Sequence, residues 1–133
     1  MNKKLTGYAC FGIALGITLG AFGAHGLKRL TSDTAILNAF QTGVDYHLYH
    51  ALAFFIMGIW GAPIFDRAAL KSAYKILVLG LFLFSGSLYL LTLLKLNGWE
   101  SRWVRPITPI GGAFLIIGWA RFGYALLRNE RSN

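Results

Sequence analysis

A single cysteine, Cys10, leaves this chain without an intrachain disulfide and without a thiolate metal site. It falls inside a long apolar run, where a buried free thiol is the expectation. Acidic residues are scarce: five Asp and Glu stand against thirteen Lys and Arg, and charged residues of both signs make up only 14% of the 133. No pair of carboxylates points into an apolar run, no Ser lies beside a His and an acid at motif spacing, and no phosphate-binding glycine loop occurs. No catalytic constellation is therefore recognised, and the chain does not read as an enzyme. Asp33, Asp66 and Glu100 read as helix caps and solvated loop charges.

What is present is apolar. Hydrophobic residues make up 56% of the chain, too many for an ordinary soluble domain. Uncharged runs cover residues 5–27, 46–65, 76–94 and 106–120. A helix needs roughly 20 apolar residues to cross the hydrocarbon of a bilayer. The last run is shorter, but it extends to Leu127 if Arg121 sends its long stem to the headgroups. The expected fold is all-α, a four-helix transmembrane bundle with a short amphipathic surface helix between spans one and two. It forms one integral membrane domain over residues 1–133, with spans at about 5–25, 43–62, 75–95 and 108–127. The net charge of +8 does not point to nucleic acid, because the basic residues sit at the ends of the apolar runs and not in a patch with interleaved aromatics. The lipid bilayer is the expected partner, together with a homo-oligomer or larger membrane complex formed through glycine faces.

Along the chain, the first apolar run resembles a secretory signal but exceeds the roughly 7 to 15 residues of a signal core, so it reads as a span. Ser32 or Asp33 caps a helix in which Ile36, Leu37 and Phe40 share one side; this is the surface helix, or else an extension of the second span, with Gly43 as a bend. Pro63 ends the second span, and residues 66–75 form a charged connection. Trp99 and Trp103 suit the headgroup level of the outer connection, and Thr108 with Pro109 opens the fourth span as cap and first turn. From Arg128 the tail is polar and expected to be mobile. Eight Lys and Arg fall on the side holding both termini and five on the other, which predicts cytoplasmic termini.

Gly12, Gly16 and Gly20 are spaced four apart on one side of a helix, where small residues let a neighbouring backbone approach; Gly111 and Gly112 offer the same in the fourth span. The polar side chains of the spans gather in one leaflet. At about 1.5 Å per residue, His50 and Tyr89 lie roughly 7 and 6 Å outside the bilayer centre, His47 roughly 12 Å, and Ser85 near it. Tyr46 flanks the two histidines, and His25 at the outer end of the first span can reach them. Asp45 points elsewhere, toward Arg105 or Lys28.

Four readings compete for this cluster. The leading one is structural, with His47, His50 and Tyr89 hydrogen-bonding across helices. The second is a pocket for a quinone headgroup, lipid or similar amphipathic molecule, with His and Tyr as donor and acceptor. The third is haem or metal held by His25, His47 and His50, although no carboxylate or thiolate shares their face and no cofactor is otherwise implied. A proton or solute path comes last, because the inner halves of the spans offer little beyond Tyr8 and Thr18.

Four blocks, GAFGAHGLK at 20–28, YHLYHALA at 46–53, FSGSLYLL at 84–91 and TPIGG at 108–112, resemble domain of unknown function family 423. That family comprises small multi-pass membrane proteins with eukaryotic relatives. The resemblance covers nearly the whole chain and implies a four-span protein of a bacterial cytoplasmic membrane. It carries no activity, catalytic residue or cofactor.

Overall fold

The computed structural model describes residues 1–61 and 67–130, with the side chains of residues 129 and 130 set aside. Its helices run up and down in chain order. The first, α1, is a single rod over Lys3–Leu30, α-helical through Lys3–Ala21, π-helical over Phe22–Leu27 and closed by Lys28–Leu30. It is followed by α2 (Thr34–Trp60), α3 (Ala68–Leu96) and α4 (Ile107–Glu130). At about 1.5 Å per residue each helix is roughly 36 Å or longer, more than the hydrocarbon thickness of a bilayer. Three of the four, α1, α3 and α4, are both long and apolar enough to cross a membrane. The exception, α2, has the length but carries Asp45, His47 and His50.

Local chemistry sets the helix ends. The Asn2 side chain accepts from the Leu5 N–H at 3.2 Å and opens α1. Asp33 opens α2, its Oδ1 accepting from the amides of Ala35 at 2.8 Å and Ile36 at 3.4 Å, so the acid and not Ser32 is the cap. At its far end α2 stops on Gly61, whose φ of 67° belongs to glycine and whose position against the Met1 backbone leaves no room for a Cβ.

Several sequence expectations are corrected here. Residues 34–42 are no separate surface helix: they are the first turns of α2, which runs unbroken through Gly43 because that glycine is packed against Leu88 and Tyr89. The charged connection before the third span is shorter than expected, since Lys71 and Lys75 already lie on α3. Thr108 is not a cap, because α4 starts at Ile107. Arg128 is still helical. Cys10 is exposed on α1, which in a bilayer means facing acyl chains. Pro63, Asp66 and the residues after 130 lie outside the described residues.

Adjacent helices pack antiparallel. From one end to the other, α1 meets α2 at Asn2 with Gly58, Gly12 with Ala51, Gly16 with Leu48, Gly20 with Val44 and Gly23 with Phe40. The same closeness joins α3 to α4, where Gly80 faces the Leu115 backbone, Gly111 the Phe84 backbone and Gly118 Leu77, while Gly112 touches the Phe84 ring. The glycine faces are thus covered within the chain, and they are not free to associate with another molecule as the sequence had suggested. One apolar cluster, including Leu5, Phe54, Leu77 and Leu115, fills the end bearing the N-terminus; a smaller one, Leu27, Phe40 and Val44, fills the other. Large apolar side chains such as Phe11, Phe82 and Ile116 point outward, more than 70% exposed, an outer surface suited to lipid and not to water.

The array is open. α2 packs along both α1 and α3, and α4 packs along α3, but α1 and α3 do not pack along one another. A cleft therefore runs between α1 and α3, with α2 as its floor.

Candidate functional site

Two histidines three residues apart on α2 face different neighbours. His50 is buried, its Nδ1 2.7 Å from the Tyr46 carbonyl and its Nε2 3.1 Å from Trp119 Nε1 on α4. A carbonyl only accepts and an indole N–H only donates, so the two partners together select the neutral imidazole with its proton on Nδ1. Both ring nitrogens are then used, and no lone pair is left for a metal. Tyr46 stacks near the His50 ring at 6.2 Å and against Phe84 at 4.5 Å, fixing α2 to α3 beside it. The sequence reading missed Trp119. Nothing in the sequence pairs the two, since the contact depends on how α2 and α4 lie against one another.

His47 turns toward the cleft. Its Nδ1 lies 3.2 Å from the Tyr89 hydroxyl on α3, and its Nε2 lies beside Gly12 on α1. The phenol engages one partner there and retains capacity for another. Tyr89 also packs against Phe40 at 5.3 Å, and Phe40 against Phe22 of the π-helical turn at 5.9 Å, so an aromatic row closes the cleft at this end. One turn along α3 from Tyr89, on the same side, sits Ser85. It is 3% exposed, and its hydroxyl is the buried side-chain polar atom without a hydrogen-bond partner among the described residues. Other hydroxyls in these helices are satisfied locally: Thr92 donates to the Leu88 carbonyl, Thr18 to Ala14, and Ser87 bonds both the Phe84 carbonyl and Thr108 of α4.

The cleft has a volume of about 420 Å³. Ser85, His47 and Tyr89 give it hydrogen-bonding groups, while Leu5, Phe54 and Tyr74 line it toward the end bearing Met1. Among the described residues no charged side chain lines it. Gly86 borders it with nothing within 4 Å of where a Cβ would stand, and the exposed Tyr8, Leu15 and Phe82 mark its rim on the side open to lipid.

Two expected partners lie apart from this arrangement. His25 is exposed on the π-helical turn and contacts neither His47 nor His50, so the three-histidine ligand set is not assembled. Among the described residues no group of three or more His, Cys, Asp or Glu is placed to hold a metal ion. Asp45 accepts from Gln41 Nε2 at 2.8 Å and pairs with neither Arg105 nor Lys28.

Comparison with known proteins agrees with the membrane architecture. Residues 19–112 match the family model described as a protein of unknown function, DUF423. The UPF0382 membrane protein YwdK of Bacillus subtilis is 38% identical over 105 residues, covering 79% of this chain and 80% of that protein. A UPF0382 membrane protein of Schizosaccharomyces pombe is 35% identical over 106 residues, 80% of this chain and 86% of its own length. The UPF0382 inner membrane protein YgdD of Escherichia coli is 36% identical over 117 residues, 86% and 82% of the two chains. No solved structure matches. A family model spanning most of the chain, together with relatives of this identity and coverage, makes the protein a member of the DUF423 family of membrane proteins.

Proposed function

We propose that this protein is a binding module of the cytoplasmic membrane whose α1–α3 cleft takes an apolar molecule with an uncharged hydrogen-bonding head, of the quinone or neutral-lipid class. Four spans, with α2 carried across between α1 and α3, leave both termini in the cytoplasm, as the excess of Lys and Arg at that end favours. The Escherichia coli relative is named an inner membrane protein, which fits this placement.

The observation that carries the reading is the Ser85 hydroxyl. A buried donor and acceptor left without a partner costs about 1–3 kcal/mol, and in hydrocarbon no water is at hand to relieve it. Its neighbours bond a backbone carbonyl one turn back; Ser85 instead lines a cleft of ligand size that Tyr89 lines as well. A carbonyl or hydroxyl head seated in the cleft bonds the Tyr89 hydroxyl, and it reaches the buried Ser85 hydroxyl once the side chains over it turn aside, while an apolar tail lies along the cleft toward Leu5 and Tyr74. The absence of a charged lining group favours a neutral head over a phosphate. The structural role belongs to the other face of α2, where His50 joins Trp119.

Mass spectrometry of material released from the gently extracted protein tests this. Gly86→Leu fills the cleft without meeting another atom at its Cβ, so it is expected to keep the fold and lose the bound molecule. Equal small-molecule content in wild type and Gly86→Leu would refute the binding role.

A further inference from the structure

We propose that a second site, at the end of the bundle bearing Met1, holds the phosphate of an anionic membrane lipid. Residues Arg121, Tyr124, Ala125 and Arg128 recur at three- and four-residue intervals on α4 and so form one stripe. That stripe and the start of α3, Arg67 to Leu70, enclose a cavity of about 420 Å³. Three guanidinium-bearing side chains from two helices and one phenol thus line a single hollow.

Guanidinium groups match phosphate geometry with paired N–H donors, and they are more weakly hydrated than ammonium groups, so they suit a site at the lipid boundary. The first turn of α3 adds to the field: Arg67 provides no side-chain cap, and the positive end of a 29-residue helix opens into the same hollow. Arg121 and Arg128 stand seven residues apart, roughly 10 Å along the axis, and their long stems can converge on one head. Arg67 already interacts within the protein, so the charge the site relies on is that of Arg121 and Arg128. Leu70 and Ala125 line the hollow too, giving acyl chains an apolar wall beside the charge.

The occupant is a phospholipid and not a free anion, because the hollow lies where helices that cross the bilayer end and combines charge with apolar wall. This site is separate from the α1–α3 cleft, and its test does not depend on that cleft being occupied.

Thermal unfolding of the detergent-solubilised protein with added phosphatidylglycerol, phosphatidylcholine or inorganic phosphate decides the matter. Phosphatidylglycerol is expected to raise the melting temperature by about 5 °C at saturation, and phosphatidylcholine to do much less. In Arg121→Gln/Arg128→Gln that gain is lost, whereas Lys3→Gln/Lys4→Gln, which removes the same charge from the same end, keeps it. Equal loss in both variants shows general charge attraction and overturns the site. Equal protection by inorganic phosphate overturns the lipid as its ligand. If the double arginine variant is too unstable to extract, lipid adducts in native mass spectra of Arg128→Gln alone provide the reading: adducts as abundant as in wild type overturn the site.

Discussion

At the scale of single residues, a histidine inside a membrane helix is usually read as functional, since an ionisable group there is expensive unless it is used or paired. His50 is paired. Its two partners leave it neutral with both nitrogens bonded, and breaking the set strands Trp119 Nε1. His50→Phe and Trp119→Phe are each expected to lower stability in detergent by about 1–2 kcal/mol. The double variant should cost less than the sum, with a coupling of about 1 kcal/mol by thermal or denaturant unfolding. Ring ¹⁵N chemical shifts should show Nδ1 protonated and Nε2 accepting. His47→Phe belongs to the other face and should affect material bound in the cleft more than the His50–Trp119 coupling.

At the scale of helices, close approach depends on glycine, but not every glycine is equal. Gly111 sits against the Phe84 backbone, which cannot swing aside as a side chain can, so Gly111→Ala pushes α4 off α3 and is expected to cost about 1–3 kcal/mol. Gly123 has nothing within 4 Å of a Cβ, so Gly123→Ala should instead be neutral or stabilising, by up to about 1 kcal/mol, through helix propensity alone. Paired melting curves check the contrast. Much of this level was legible in the sequence: the helical periods, the glycine spacing and the cap at Asp33 all follow from local rules. The continuity of α2 through Gly43 was not, because a glycine that reads as a bend in isolation is held helical by Leu88 and Tyr89 of another helix.

At the scale of the whole molecule, the open arrangement matters most. A closed bundle of four helices would have buried the Ser85 side of α3 against α1; here α1 and α3 share only α2 as a neighbour, and a cleft is left between them. The same up-and-down order brings both described chain ends, Met1 and the end of α4, to the side that carries the greater number of basic residues. A phosphatase active only outside the cytoplasm, fused at Asn133, is accordingly expected to be inactive, and a fluorescent protein that matures only inside to glow. The opposite pair of results would invert the topology.

The sequence by itself determined the class of object: long uncharged runs have no favourable place in water, and their lengths, flanking charges and four family blocks settled an all-helical membrane protein of known family. It also suggested that His47, His50, Tyr46, Ser85 and Tyr89 gather in one leaflet, because rise per residue is a local property of a helix. Only the tertiary structure decided which way each of them faces. The rotation of one helix against the next is set by how side chains from distant parts of the chain interlock. That interlocking sent His50 to Trp119, turned His47 into the cleft and left Ser85 without a partner.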